Sequence, residues 1–380
     1  MIEKFISENI KELESLLLTL CRIPSPTGQE QRRSSFIYNW CRNLGVPNVT
    51  VDDTKNVIIS FGCEDYEDIT VFMAHMDTVF PDTSLLPLRI KGRALFCPGC
   101  GDNTANLSIM LMCIKFLLTH PEYRPKCGVL FVANTCEEGL GNLKGCSEVM
   151  KAYGKRVKKV IVLDGTNECI LDRSVGSSRY RIEIDTIGGH SFDDFGNPNA
   201  IKEMSSLVND LYSIEVPVIG NSITTYNIGV MNGGTAINSI AQHAEILYEY
   251  RSDNAECLEI MKDKFVALIK QHREKDLRMA VTHLGTRPCM MNVDKEKQAE
   301  LTMECSSIIE KYLMSAPILK SGSTDANIPL SMGIPSVCLG LYYGGNAHTR
   351  DEWLDLDSLD SGFHIALELV QKYFKAIPTI

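Results

Sequence analysis

Histidine and acidic residues recur in this sequence at positions where they could bind a metal ion. His75 and Asp77 lie two residues apart in the run VFMAHMDTV, and Asp102 follows the glycine-rich run CPGCG. Because HMD falls at the predicted end of a strand, the side chains of His75 and Asp77 leave the same face of that strand. A neutral imidazole binds zinc, and a nearby carboxylate can fix the tautomer of the ring. Asp102 could also be the N-cap of the helix that follows it.

Three further segments carry candidate residues. Glu137 and Glu138 are adjacent after the apolar run GVLFVAN, Asp164 follows KVIVL, and His348 comes shortly after the glycine pair of YYGGNAH. Neighbouring carboxylates repel each other unless their roles differ. One could bind a metal ion while the other acts as a general base on a water whose pKa the metal lowers. A solvated acidic turn and a surface-loop histidine are the alternatives.

Taken together, these segments supply two histidines, three carboxylates and a spare glutamate. Nitrogen and oxygen ligands in this mixture suit zinc, cobalt or manganese. Two ions that share one carboxylate can hold the attacking water and polarise the oxygen of the bond that is cut. The residues therefore indicate a two-metal hydrolase.

Alternating strands and helices are expected to position these side chains. Helices are predicted at 3–21, 30–44 and 106–119, and strands at 49–51, 57–61, 69–74, 88–96, 128–134 and 159–163. Continuous apolar runs such as GVLFVAN are typical of strands covered on both faces, which favours an α/β sheet. In such sheets ligands bind at the carboxyl ends of the strands, and the candidate motifs fall at strand ends.

The pattern changes near residue 176. The run RYRIEIDTI alternates polar and apolar residues, as a half-exposed antiparallel strand does. Next come a predicted helix at 198–213, strands at 222–230 and 245–251, a helix at 255–274 and a strand near 279–283. The α/β pattern then resumes with a helix at 294–313, a strand at 336–339 and a closing helix at 356–375. We therefore predict a catalytic α/β domain formed by 1–175 and 287–380, and an inserted α+β domain of β-α-β-β-α-β order at 176–286.

Composition argues against several classes of function. The chain has 380 residues and a formal net charge of −10, which disfavours nucleic acid or an anionic membrane as a partner. No apolar run approaches the length of a transmembrane helix, and the first residues are typical of an amphipathic helix rather than a signal peptide. The 14 scattered cysteines fit reduced thiols in a cytoplasmic protein.

Cys97 and Cys100 form a C-x-x-C pair just before Asp102. Such a pair can be a redox centre or half of a metal knuckle. No second C-x-x-C accompanies it, so a pair of ordinary thiols is favoured over a thiol redox protein.

In their order along the chain, the motifs HMDTV, GDNTAN, EEGLGN, LDG, GGHS and AHT resemble those of the co-catalytic zinc exopeptidase family. That family includes peptidase T (a tripeptide aminopeptidase), carboxypeptidase G, acetylornithine deacetylase and succinyl-diaminopimelate desuccinylase. The resemblance extends over essentially the full chain. It implies a zinc-exopeptidase-like α/β/α catalytic domain and an inserted lid that also forms the interface of a homodimer.

The resemblance also implies five metal ligands. His75 and Asp164 would bind one zinc ion, and Glu138 and His348 would bind the other. Asp102 would bridge the two ions, often with a cis peptide after it in this family.

Further roles follow from the same resemblance. Asp77 would support the first histidine, and Glu137 would be the general base that acts on the bridging water. His190 of GGHS resembles a histidine that reaches into the site of the partner subunit and stabilises the oxyanion. Asn238 and Arg251 match an asparagine and an arginine that contact the substrate, and arginine can clamp a carboxylate through two hydrogen bonds.

The remaining matches bear on specificity. Ser323, in the run SGSTDAN, resembles a loop on the substrate side of the family's site. Many deacylases of the family have a basic residue soon after the bridging aspartate, whereas this chain has the run NTAN. Asp164 stands where carboxypeptidase-like members have a glutamate. Both features favour an aminopeptidase-type di- or tripeptidase over an N-acyl amino acid deacylase. A non-catalytic metal-binding protein is disfavoured because the base Glu137 is present.

Overall fold

The computed structural model describes residues 2–273 and 278–376. The chain forms two compact units, one that runs to Ser174 and resumes at Met291, and one that spans Val175–Met290. The helices are α1 (Ile2–Cys21), α2 (Gln31–Asn43), α3 (Asn106–Thr119), α4 (Lys144–Tyr153), α5 (Ala200–Tyr212), α6 (Ala255–Arg273), α7 (Lys295–Leu313), α8 (Asn327–Ser331) and α9 (Ser358–Gln371).

The described residues also form twenty β-strands. Those of the first unit are β1 (Val49–Val51), β2 (Val57–Phe61), β3 (Ile69–His75), β4 (Arg89–Lys91), β5 (Ala94–Phe96), β6 (Tyr123–Pro125), β7 (Gly128–Asn134), β8 (Val157–Leu163), β9 (Cys169–Ser174), β16 (Ile318–Gly322), β17 (Ser336–Leu339), β18 (Gly344–Gly345), β19 (Trp353–Asp355) and β20 (Phe374–Ala376). Those of the second unit are β10 (Gly176–Asp185), β11 (Gly189–His190), β12 (Thr224–Gly233), β13 (Ser239–Ile240), β14 (His243–Ser252) and β15 (Arg278–Arg287).

The first unit is built around an eight-stranded sheet of order β1-β2-β7-β3-β8-β17-β9-β16. Its central strands β7, β3, β8 and β17 run parallel. Every residue of β3, β7 and β17 is buried, as expected of apolar strands covered on both faces. Helix α3 packs on β3, β7 and β8, and α1 and α9 pack on α3. The predicted α/β class is confirmed.

Parallel pairing brings the carboxyl ends of β7, β3 and β8 to one edge of the sheet. Register pairs His75, the last residue of β3, with Asn134, the last residue of β7. Asp164 follows directly after β8. The chain therefore delivers the candidate residues of three separate segments to a single sheet edge.

Some of the predicted elements were wrong in extent. The strand expected at 88–96 is two short strands, β4 and β5, which turn at Gly92 with a φ of 62° and pair in a small sheet of order β18-β19-β5-β4. The helix expected to reach residue 375 ends at Gln371, and β20 then pairs with β6. Helix α4 and strands β9 and β16 were not predicted.

The second unit is a four-stranded antiparallel sheet of order β12-β14-β10-β15. Strand β14 alternates buried and partly exposed residues, and α5 and α6 pack on it. Such alternation leaves one sheet face for the helices and one for solvent. The end predicted for the long helix, residue 274, lies outside the described residues.

Within the described ranges, no helix combines the length and apolar character needed to cross a bilayer. All 14 cysteines are free thiols.

Candidate metal centre

His75 has carboxylates on both sides of its ring. The residue is 1% exposed. Its Nε2 lies 3.1 Å from Asp102 Oδ1 and 3.7 Å from Asp164 Oδ1. Its Nδ1 lies 3.1 Å from the backbone oxygen of Asp77 and 3.4 Å from Asp77 Oδ1. Asp77 therefore faces the opposite nitrogen from the other two carboxylates, which is the position from which a carboxylate fixes the tautomer of a metal-binding histidine.

Asp102 spans two histidines. Its Oδ1 faces His75, and its Oδ2 lies 3.1 Å from Nε2 of His348. The residue lies in the turn Cys100–Ala105 with φ −93° and ψ 96°, and the peptide bond to Asn103 is cis. The alternative of a helix N-cap is wrong, because α3 begins only at Asn106 and its N-cap is Ala105.

Glu138 and His348 lie at the other side of Asp102. Nε2 of His348 is 3.2 Å from Oε1 of Glu138, whose carboxylate is almost fully buried. His348 lies in the loop between β18 and β19 with a φ of 65°. Its side chain is about half exposed, yet its Nε2 faces two carboxylates. His348 is therefore an exposed loop residue, as the alternative held, but its ring nitrogen contacts the acidic cluster.

The described residues contain four groups of potential metal ligands, and two of these groups share Asp102. In the first group, formed by His75, Asp102 and Asp164, and in the second, formed by Asp102, Glu138 and His348, all ligand atoms lie within 4.8 Å of one another. Each group offers one imidazole nitrogen and carboxylate oxygens, a donor set that suits a divalent cation such as zinc. The residues thus fit a pair of metal ions.

The carboxylates dominate the electrostatics of this cluster. Asp102, then Glu138, raise the pKa of His348 to about 11. Burial opposes the charged form of His75, but its hydrogen bonds to Asp102, Asp164 and Asp77 hold its pKa well above the ordinary value. Burial raises the pKa of Glu138. A cluster with this excess of negative charge favours cations over neutral or anionic ligands.

Asp77 also organises the two glutamates, a role that the sequence did not indicate. Its Oδ1 accepts the backbone N–H of Glu137 at 3.1 Å, and its Oδ2 accepts that of Glu138 at 2.9 Å. The hydroxyl of Thr27 donates to Oδ2 at 2.9 Å. Asp77 is fully buried, so one carboxylate sets both the His75 ring and the backbone of the candidate base.

Two charged residues at the start of α2 support the same edge and were missed from the sequence. Oε1 of Glu30 accepts the N–H of Cys136 at 3.1 Å, just before Glu137. Arg33 is 2% exposed and donates from Nη1 to the carbonyl of Met76 at 2.8 Å. The signal was present, since Arg33 precedes the buried Ile37 by four residues and so lies on the apolar face of α2.

The substrate-side candidates are divided between the units. His190 and Asn238 are neighbours in the second unit, where β11 pairs with β13 and the carbonyl of Asn238 accepts the N–H of Ser191 at 3.0 Å. Nδ1 of His190 is 3.2 Å from Oδ2 of Asp193. Arg251, near the end of β14, donates to its neighbour Glu249 at 2.9 Å from Nε.

Ser323 belongs to the first unit, between β16 and α8. Two residues later Asp325 is fully buried, and the amide of Asn134 donates to its Oδ2 at 2.6 Å. Burial raises the pKa of Asp325 to about 7. Asp325 was not among the candidate residues.

Cys97 and Cys100 lie buried in the turn that leads to Asp102. The N–H of Cys100 donates to the carbonyl of Cys97 at 3.0 Å, so the pair closes a backbone turn. Both are free thiols.

Comparison with known proteins decides the family. Residues 71–372 match peptidase family M20/M25/M40. The chain belongs to this family. The predicted resemblance is thereby confirmed, and the protein is a metal-dependent hydrolase of the M20 type.

Proteins that are similar to this chain match almost its whole length. Succinyl-diaminopimelate desuccinylase of Corynebacterium glutamicum is 23% identical over 346 residues, which are 90% of this chain and 91% of that protein. The crystal structure of aminopeptidase PepT from Bacillus cereus superposes with a TM-score of 0.73 at 22% identity, covering 96% of this chain and 99% of the other. A tripeptidase from Staphylococcus aureus gives a TM-score of 0.73 at 20% identity, with coverage of 96% and 99%. At these identities the structures establish the shared fold.

Proposed function

We propose that this M20 hydrolase is a two-metal aminopeptidase that cuts the amide bond of small peptides, of di- or tripeptide size. The observation that carries the proposal is the position of Asp102, whose two oxygens each face a different histidine. A carboxylate in that position can bridge two cations, and each histidine has a further carboxylate beside it.

His75 and Asp164 would hold one ion, Glu138 and His348 the other, and Asp102 both. Zinc is the first expectation from the donor set, with cobalt and manganese as alternatives. When bound, such a pair polarises the scissile carbonyl and lowers the pKa of the water that attacks it.

We assign the proton transfer to Glu137. It is buried, and its backbone N–H donates to Asp77, which also accepts the N–H of Glu138. In the proposed reaction Glu137 accepts a proton from the attacking water and passes it to the nitrogen of the leaving amine. Asp77 keeps the His75 ring protonated on Nδ1, which leaves the lone pair of Nε2 free for the metal ion.

His190, Asn238, Arg251 and Ser323 are proposed to act on the substrate. His190 would donate a hydrogen bond to the oxyanion from a second copy of the chain, which makes a homodimer the proposed working form. Arg251 would bind the substrate carboxylate, and Asn238 and Ser323 would contact the substrate.

A peptidase is favoured over an N-acyl amino acid deacylase by the residues that follow Asp102. Asn103 and Asn106 are buried there, and their amides donate to the carbonyls of Leu163 at 2.8 Å and Gly165 at 3.0 Å. Two asparagines that tie this turn to the end of β8 stand where a basic residue is expected in many deacylases. The desuccinylase relative keeps deacylation as the alternative.

One preparation tests the class of substrate. Metal analysis should give two ions per chain, and a panel of free tripeptides, dipeptides and N-acetyl or N-succinyl amino acids should show cleavage of the peptides. Cleavage of the acylated amino acids alone would replace the peptidase by the deacylase.

The adjacent glutamates provide a matched pair of variants for the mechanism. Glu137→Gln should keep both ions and lower kcat by about 100- to 10,000-fold, because the proton acceptor is lost while the ligands remain. Glu138→Gln should instead lower the metal content. Metal analysis and steady-state kinetics on both variants are the measurements. Near-normal turnover of the Glu137→Gln enzyme would show that another residue is the base.

A further inference from the structure

Glu352 is a buried carboxylate that the proposed reaction does not use. It is 1% exposed, and it lies four residues after His348, directly before β19. A carboxylate removed from water must be compensated by hydrogen bonds or charge. Its partners are therefore informative.

Three backbone N–H groups of one turn converge on this carboxylate. Gly99 donates to Oε2 at 2.6 Å, and Gly101 and Asp102 donate to Oε1, each at 2.8 Å. Successive N–H groups that point to one centre form an anion-binding nest. Here the anion is a side chain of the same protein, and one of the donors is the residue proposed to bridge the metal ions.

The turn is built to approach Glu352 closely. A Cβ at Gly101 would lie 2.3 Å from the hydroxyl of Tyr342, and one at Gly99 would lie 2.6 Å from Cγ2 of Thr78. The backbone of the turn therefore has no room for side chains at these positions. Gly99 also has a φ of 75°, a conformation that glycine adopts at no steric cost.

The loop that leads into β19 therefore contributes to the candidate centre in two ways. The strand β19 pairs antiparallel with β5, with Trp353 opposite Phe96, and the N–H of Cys97 donates to the carbonyl of Glu352 at 3.1 Å. His348 enters the cluster from this segment, and Glu352 fixes the backbone of Asp102 from it.

We infer that Glu352 is a positioning residue for the metal pair: its carboxylate holds the turn that carries Asp102 so that one oxygen of Asp102 faces each histidine. The inference rests on the proposed two-metal function. Its physical basis is that the direction of the Asp102 side chain is set by its own backbone, and that the N–H of Asp102 is one of the three groups that Glu352 binds.

The test compares Glu352→Ala and Glu352→Gln with Asp351→Asn. Asp351 is the exposed neighbour in the same loop, 3.8 Å from Arg89 in a solvent-exposed ion pair, and its variant should behave as the wild type. Chelator-treated protein is titrated with Mn²⁺ by calorimetry, and the loaded protein is examined by electron paramagnetic resonance. Spin coupling between two Mn²⁺ ions reports a shared bridging carboxylate. Loss of a residue that only stabilised the fold would leave this coupling unchanged.

We expect Mn²⁺ binding to weaken by about 10- to 100-fold in Glu352→Ala, as for other residues that orient metal ligands, with loss of spin coupling. Glu352→Gln keeps one oxygen for the N–H groups of Gly101 and Asp102 and should recover part of both signals. If Glu352→Ala does not fold by circular dichroism, the Gln variant alone decides. Wild-type affinity and coupling in the folded variants would overturn the inference while the two-metal proposal stands. Wild-type protein that takes up fewer than two ions would overturn the proposed function, and this inference with it.

Discussion

At the scale of single residues, the carboxylates near the candidate centre are buried in two different ways. Asp77 accepts two backbone N–H groups and a hydroxyl, and with His75 beside it its pKa stays below the ordinary value in spite of burial. For Asp325, the amide of Asn134 donates to Oδ2, while Oδ1 has no hydrogen-bond partner among the described residues. Burial therefore dominates at Asp325 and raises its pKa to about 7.

Because of this difference, Asp325 is expected to make the free energy of unfolding of the metal-free protein depend on pH. Its folded pKa of about 7 lies above the unfolded value near 3.9, so the folded state binds the proton more tightly. The stabilising contribution is complete below about pH 4 and is lost as the pH rises through about 7. Asp325→Asn, which keeps an oxygen for the amide of Asn134, should remove this dependence and stabilise the protein at pH 8 by on the order of a few kcal/mol.

Urea unfolding of chelator-treated wild type and Asp325→Asn at pH 5 and pH 8 measures the effect. The difference in the free energy of unfolding between the two proteins should be larger at pH 8. An equal difference at both pH values would show that Asp325 is already ionised, or equally protonated, across this range.

At the scale of elements, α2 is tied to the sheet edge through one buried cation. Arg33 donates to the carbonyls of Leu20 and Ile23 from Nη2, at 2.9 and 2.8 Å, and to Met76 from Nη1 at 2.8 Å. The carbonyl of Met76 lies between His75 and Asp77. One side chain therefore joins the end of α1, the start of α2 and the end of β3.

Arg33→Met should destabilise the protein by on the order of 3 kcal/mol, because several buried carbonyls lose their donor at once. Arg32→Met is the matched control, since Arg32 is the exposed neighbour on the same helix and should change stability by no more than about 0.5 kcal/mol. Chemical unfolding of the two variants gives the comparison. Equal stability of Arg33→Met and wild type would mean that water or other donors replace the guanidinium.

The same elements explain how far the sequence alone could go. Strands β7 and β17 were predicted at their observed bounds because continuous apolar runs identify buried strands. Strand β9 has the mixed sequence CILDRS and shows no such pattern. The partners of Glu352 and the bond from Arg33 to Met76 could not be predicted, because they join residues far apart in the sequence: Glu352 binds a turn about 250 residues earlier, and Met76 lies 43 residues after Arg33. Periodicity reports burial within a segment, and these contacts join different segments.

At the scale of the whole molecule, the proposed homodimer accounts for unusual exposure in the second unit. Phe192, Phe195 and Ile237 are 84%, 90% and 103% exposed, and all three lie within five residues of His190 or next to Asn238. Large apolar side chains grouped on a surface mark interaction sites more often than free surface. Burial against a second copy would remove them from water and carry His190 into the neighbouring site.

Complementation between two inactive variants tests this arrangement. Glu137→Gln lacks the base and His190→Ala lacks the oxyanion donor, so each homodimer should be nearly inactive. In a mixed dimer one of the two sites would combine an intact Glu137 with an intact His190 of the other copy. An equimolar mixture, unfolded and refolded together, should therefore recover about a quarter of wild-type activity, since half of the dimers are mixed and half of their sites are intact. Each variant refolded alone is the control, and a mixture no more active than these controls would place His190 in the site of its own chain.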